Sequence, residues 1–455
     1  MAKNCMQSVA KLFIGMLLST QVLAATPQVN TSAPKLAGSA ADNQPAQVET
    51  FVVPDTATPA TLSTNPPPPV TVSNPSVKPT DTALRRIALL LPLRSENLGA
   101  VSEVIRSGFL AAWDNESDGV QVEVLESGEA PLDVLDNYQL ALSQHDVLVG
   151  PLPRAAVGTL AESGVVTKPT VALNYPEPRN ANEPAHTRMP ANLLIMGLSI
   201  EEEARQAAVW ASNSVVLGKG SRALIISSNV AWQKRAAKAF AQQWQKLGLE
   251  TVMQEIPSSS GFLSAASLAT LKNRLQPPVV DKDKTADKPA SEKATPPDNR
   301  PVLAFVALDA EQTRQLRHVI GNDLPLFGTS QLNRQTLQDG EEVEPTPYLE
   351  GVRLLELPWQ LQRDHPAVMI YPRLIQNGEQ KRSADLERLY ALGIDAYRVA
   401  RSLALKPGAS FDLDGVTGKL SVQFKKGVVS FERLSQAAMY RQGQLQVVPF
   451  GQFSQ

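Results

Sequence analysis

From residue 84 onward the chain alternates short uninterrupted apolar runs with amphipathic stretches, and this alternation restricts its fold more than any other feature. Ile87 to Leu91 reads Ile-Ala-Leu-Leu-Leu. Such a run marks a parallel strand covered on both faces, whereas a half-exposed strand alternates apolar and polar residues. Val101, Val104, Ile105, Gly108, Phe109 and Ala112 then recur at helical spacing. Strands are expected at Val120 to Leu125, Asp146 to Val149 and Thr170 to Leu173, with helices from Leu132 to Leu142 and through Val157 and Leu160. Four strands and three intervening helices make a doubly wound lobe.

The pattern restarts after a loop rich in Pro and Asn, 174–192. Ser199 to Glu202 has the form of a capping box opening a helix. A strand is expected at Arg222 to Ile226. The next helix carries Ala237, Phe240, Ala241, Trp244 and Leu247 on one face, with Lys234, Arg235, Lys238 and Lys246 mostly on the solvated one. Val302 to Val306 and Pro325 to Phe327 continue a second sheet, and a long helix runs from Ala384 to about Leu405. A β-rich tail follows, in which Leu420, Val422 and Phe424 alternate, with turns at Lys425 to Gly427 and Gln442 to Gly443. The expectation is a hinged α/β protein of two doubly wound lobes. Lobe 1 takes about 84–195 and 360–410, and lobe 2 about 196–359 and 411–455.

The first 83 residues differ in kind. Lys3 and Lys11 flank the start of an apolar run, Leu12 to Leu23, and Val22 to Ala25 offers small residues for a signal peptidase. Residues 1–25 are therefore expected to be an export signal cleaved after Ala24 or Ala25, which places the protein in the periplasm. The single Cys, Cys5, precedes the apolar run, where a lipid attachment site would follow it, so no lipidation is expected. Eleven of the 35 prolines fall in 26–83, among only six charged side chains. Such a segment cannot bury enough apolar surface to offset its ordering entropy and reads as a disordered linker. Residues 277–300, rich in Lys, Asp, Glu, Pro and Ala, read as a disordered insertion in lobe 2.

Chemistry is sparse. With 43 basic and 45 acidic residues, the net charge of −2 supplies no field for a nucleic acid. One Cys excludes a disulfide within the chain and any multi-Cys metal site. The chain contains no H-E-x-x-H, G-x-S-x-G or G-x-x-x-x-G-K-[ST] motif. His145, His186, His318 and His365 lack ligand-like spacing, and Asp412 to Gly415 starts like a calcium loop without its distal Glu and reads as a turn. No catalytic, metal or cofactor site is assigned. If the cleft between the lobes holds a small ligand, the strand-end residues available to it are Arg94, Ser95, Arg154, Asn174 and Tyr175.

Several ordered blocks carry a family resemblance. They are Ile87 to Pro92 with Gly108 to Ala112, Val149 to Leu152, Ala172 to Glu177, Leu198 to Ala204, Ala239 to Gly248, Leu349 to Arg353, Arg388 to Ala396 and Gly415 to Leu420. Together they resemble the LppC family. The resemblance implies a type I periplasmic-binding-protein fold and a non-enzymatic regulator that docks on a bifunctional peptidoglycan synthase, a class A penicillin-binding protein, and stimulates its transpeptidase. The alternative from the residues alone is a soluble receptor for an amino acid or similar solute, feeding a transporter or sensor.

Overall fold

The computed structural model describes residues 84–177, 189–218, 220–275, 300–333, 346–374, 383–425 and 427–450. The expected signal, the linker, His186 and nearly all of the charged insertion lie outside the described residues.

Lobe 1 is built on five parallel strands: β1 (Arg85–Leu91), β2 (Val120–Glu126), β3 (Val147–Val149), β4 (Thr170–Ala172) and β5 (Leu193–Ile195), in the order β2-β1-β3-β4-β5. Its helices α1 (Gly99–Asn115), α2 (Pro131–Gln144) and α3 (Arg154–Glu162) divide between the faces. Ile87, Leu89 and Leu91 pack with Ile105 and Phe109 of α1, whereas Ala88 and Leu90 pack with Tyr138 of α2 and Val157 and Leu160 of α3. Successive side chains of a strand point to opposite faces, so a strand covered on both sides must be apolar at every position. The fifth strand is an addition to the four expected. Three residues carry too little periodicity to be told from a loop.

Lobe 2 opens with α4 (Ile200–Ser214), followed by β6 (Arg222–Ser227), α5 (Ala231–Lys246), β7 (Glu250–Glu255), the small hairpin β8 (Ser258–Ser259) and β9 (Phe262–Leu263), α6 (Ala265–Leu275), β10 (Leu303–Ala307), α7 (Ala310–Ile320), β11 (Leu326–Gly328) and β12 (Arg353–Glu356). The Ser199 hydroxyl caps α4 by accepting from Glu202 N at 3.1 Å. Glu202 turns to Arg205 at 2.7 Å. A reciprocal box forms at α7, where Asp309 and Gln312 satisfy each other's backbone N–H groups. Leu247, grouped with the apolar face of α5, stands 42% exposed just past the helix end, where the face has run out.

Three further helices, α8 (Pro358–Leu361), α9 (Pro366–Met369) and α10 (Ala384–Leu405), belong to lobe 1. An antiparallel sheet follows, of β13 (Phe411–Asp414), β14 (Lys419–Lys425) and β15 (Val428–Leu434), and then β16 (Gln436–Arg441) and β17 (Gln444–Val447). The last two complete the lobe 2 sheet, in the order β17-β16-β12-β11-β10-β6-β7.

Three expectations need correction here. The span 411–434 packs on lobe 1, with Val416, Leu420, Val422 and Val429 in that lobe's core and Val429 N bonded to Ala191 O at 3.0 Å. Leu357 and Trp359 also sit in that core, so the chain is back in lobe 1 by Leu357, three residues before the expected boundary. Asp412 to Asp414 lies in a strand, β13, because Phe411 and Leu413 alternate inward onto the lobe 1 core. The close contact of α1 with α10 needs glycine twice. A Cβ at Gly108 would fall 2.0 Å from Tyr390 O, and one at Gly393 would fall 2.2 Å from Ile105 O. Two of the family-like blocks are thus the two halves of one backbone crossing.

Candidate functional site: the seam between the lobes

Among the described residues the chain crosses between the lobes three times, at Met196 to Ser199, between Glu356 and Leu357, and at Ser435. Side chains concentrate polar contacts on each crossing.

At the first, Asn174 Nδ2 donates to Leu152 O at 3.2 Å, and its Oδ1 accepts from Tyr175 N at 2.9 Å. Gly197 lies against this turn so closely that a Cβ would come within 2.8 Å of Asn174 Cα. Arg154, the first residue of α3, donates from Nη2 to Pro176 O at 3.3 Å. Burial and the neighbouring Arg235 hold its pKa below the usual arginine range, against the pull of Glu201 and Glu177. Arg235 itself meets Glu201 at 2.7 Å. Burial raises the Tyr175 phenol, opposed by the nearby Arg433.

The third crossing is held from both sides. Arg433 donates to Gly197 O and Met196 O, each at 2.9 Å, and to Thr417 Oγ1 at 3.0 Å. Gln206 of α4 grips the same strand, donating to Arg433 O at 2.6 Å and accepting from Ser435 N at 3.1 Å. Beneath it, buried Asp395 accepts from Val416 N at 3.1 Å, Thr417 N at 2.7 Å and Thr417 Oγ1 at 2.6 Å.

The second crossing carries the densest charge. Arg388, on α10 of lobe 1, reaches groups of lobe 2: its Nη2 donates to Glu356 Oε2 at 2.6 Å, Ser330 O at 2.8 Å and Asn333 O at 3.0 Å, and its Nε to Glu356 Oε1 at 3.1 Å. Its Nη1 pairs with Asp385 at 2.8 Å. Burial opposes its charge, but Glu356 and Asp385 outweigh that and hold its pKa above the usual range. Glu203 of α4 joins the group through Ser330, whose N and Oγ donate to its two oxygens, the hydroxyl at 3.1 Å. As a residue Glu203 is half-buried, its carboxyl group being the enclosed end. Burial pushes that carboxyl up to about 8, with the charge of Glu356 adding and the Ser330 bonds and Arg388 opposing.

Of the five strand-end candidates, Arg154, Asn174 and Tyr175 come together at the first crossing. Arg94 and Ser95 do not join them. They lie on the β2 side of β1, where Arg94 N donates to Glu126 at 3.1 Å. Ser95 Oγ accepts from Asn97 N and Leu98 N and donates to Glu129, closing the turn into α1. Asn174 and Ser95 already spend their hydrogen-bonding groups on the fold. The sequence reasoning missed Glu203, Gln206, Glu356, Arg388, Asp395 and Arg433. Glu203, Arg388 and Asp395 lie inside the family-like blocks, and Asp395, a lone charge in the apolar run Leu389 to Ala396, was the available signal. Of the histidines, His145 bonds Glu123 at 3.0 Å, and His365 caps α9 by accepting from Ala367 N at 3.2 Å.

Two lobes built on mainly parallel sheets and joined by these crossings define a type I periplasmic-binding-protein fold. The LppC family profile, described as "LppC putative lipoprotein", matches residues 79–443, and the chain belongs to that family. The penicillin-binding protein activator LpoA of Yersinia pseudotuberculosis is 28% identical over 331 residues, 66% of this chain and 46% of that protein. The chain thus spans about half the length of the curated relatives it matches. Among solved structures, one from Chromobacterium violaceum, called a "putative branched-chain amino acid ABC transporter", aligns at 30% identity and a TM-score of 0.57, over 78% of this chain and all of that one. The LpoA C-domain from Haemophilus influenzae, called a regulator of PBP1A, aligns at 20% identity and a TM-score of 0.56, over 80% of this chain and all of that one.

Proposed function

We propose that this protein is a non-enzymatic activator of peptidoglycan synthesis, which docks on a bifunctional, class A penicillin-binding protein and stimulates its transpeptidase. The observation that carries this reading is membership of the LppC family across 79–443, with curated relatives named as penicillin-binding protein activators. The seam supports it physically. An activator works by binding the partner's active state better than its inactive one, so a surface held in a single arrangement is an advantage. Export through residues 1–25 and a linker over 26–83 would place the folded part in the periplasm, where such a synthase acts.

The test is to mix the purified chain with the host's bifunctional synthases and measure cross-linking. A several-fold rise in transpeptidation with one of them is expected. No binding and no rate change with any of them would overturn the reading. The 30% identity to the transporter-named chain favours a second reading, a receptor for an amino acid or related solute. Against it stands the internal use of Ser95 and Asn174. A thermal shift with such a solute, about 2.7 kcal/mol at 100 times its dissociation constant, would favour the receptor.

A further inference from the structure

Helix α10 carries two buried charges, Arg388 and Asp395, which stand two turns apart on one face. Gly393, two residues before Asp395, is on the far side of the helix, pressed against Ile105 O of α1. The helix is thus fixed to α1 along one side and turns its charged face to the seam. Arg388 acts there directly. It donates across the second crossing to Ser330 O, Asn333 O and both oxygens of Glu356, and Gln331 Nε2 meets Asp385 Oδ1 beside it at 3.4 Å. Ser330 follows β11, the neighbour of β12, whose end is that crossing. Adjacent strands are about 4.8 Å apart, so a lobe rotation of about 30° would shift the Ser330 turn by about 2.5 Å against the guanidinium, enough to break these bonds.

Asp395 acts through a relay. It accepts from Thr417 Oγ1, and the same hydroxyl accepts from Arg433 Nε. One hydroxyl can donate and accept at once, so Thr417 passes the anchorage of α10 on to Arg433. The other two nitrogens of Arg433 hold Gly197 O and Met196 O of the first crossing. Gln206, from α4 of lobe 2, brackets the third crossing by bonding Arg433 O and Ser435 N. The first and third crossings are thereby tied to each other and to both lobes. Hinged lobes move by backbone rotation in a few connecting residues, and here side chains occupy the backbone groups of those residues.

We propose that α10 is a locking bar, which pins the three crossings through Arg388 and the Asp395–Thr417–Arg433 relay and keeps the lobes in one arrangement instead of letting them open and close about the cleft. The lock is a property of the fold and does not depend on which partner the protein serves.

The experiment reads the distance between lobes in the full chain. Spin labels go on Asp136→Cys of α2 and Lys246→Cys of α5, both at exposed positions, with Cys5→Ser removing the native thiol. A single narrow distance distribution is expected for the protein with its lock intact. Arg388→Met is expected to add a second, displaced population. Thr417→Val, which keeps the side-chain shape and removes the relay hydroxyl, is expected to broaden the distribution. Phe305→Ala, a loss of packing inside lobe 2, is expected to leave it narrow, which separates unlocking from general destabilisation. Two populations in the protein with its lock intact would overturn the proposal, and so would a Thr417→Val distribution as narrow as the original. Both of those readings stand even if Arg388→Met fails to fold.

Discussion

The two lobes share an architecture and are packed by different means. In lobe 1, α1 and α10 approach until backbone meets backbone at Gly108 and Gly393. In lobe 2, α4 and α5 bring Ala204, Ala207, Ala208, Ala236 and Ala237 into the core, and aromatic rings fill the space toward the sheet. Phe240 stacks on Phe305 at 4.1 Å between ring centroids and on Trp244 at 5.6 Å, and Trp210 meets Phe327 edge-on at 5.4 Å. Lobe 1 is thus specified by what is missing at two points, and lobe 2 by volume spread over many side chains. Close packing makes both sensitive, but to opposite changes: adding atoms in one and removing them in the other.

The largest expected effect is in lobe 2. Phe305→Ala removes a fully buried ring from one end of the aromatic stack. It should cost about 3–5 kcal/mol, measured by urea unfolding. Gly393→Ala in lobe 1 adds one methyl where the nearest atom is the backbone oxygen of Ile105. A cost of about 1–3 kcal/mol is expected, with α1 displaced. If Gly393→Ala were neutral and Gly393→Val tolerated, the contrast between the lobes would be wrong.

A third prediction sits on the seam. The folded-state pKa of Glu203 is raised, so its contribution to stability is complete below about 4.5 and is lost as pH climbs through about 8. The thermal midpoint should accordingly decline over that window, and Glu203→Gln should flatten the decline. An unchanged slope in the variant would assign the pH dependence to another group. The smallest effect belongs to the surface. Arg106 and Glu103 form an i,i+3 pair on α1 at 2.6 Å, and both side chains are well exposed. Arg106→Ala should change stability by no more than about 0.5 kcal/mol, a scale against which the core and seam substitutions can be judged.

The elements that could be read early are those whose own residues decide them. The run at Ile87 to Leu91 needed no partner to be recognised as a doubly covered strand, and the spacing in α1 and α10 marked their buried faces. β5, with three residues, falls in the unassigned stretch between the 174–192 loop and α4, and β13 is hidden because Asp412 and Asp414 imitate a turn. Among the candidates, Arg154, Asn174 and Tyr175 meet at one crossing because strand ends face the cleft in any fold of this kind. The ion pair at the second crossing is not legible in the same way, because Arg388 and Glu356 are 32 positions apart, and nothing local tells a buried ion pair from two solvated charges.

By itself the sequence determined the alternation of elements, the presence of two lobes, the absence of the searched catalytic motifs and the family. Each depends on local periodicity or on ordered blocks along the chain. The tertiary structure alone decided that the tail divides, 411–434 joining lobe 1 and 436–447 completing the lobe 2 sheet. It also decided that the blocks of Gly393 and Gly415 meet through Asp395 and Thr417, and that one arginine spans the hinge. Those outcomes depend on which surfaces are left uncovered once the sheets have formed, and no segment of the chain carries that information alone.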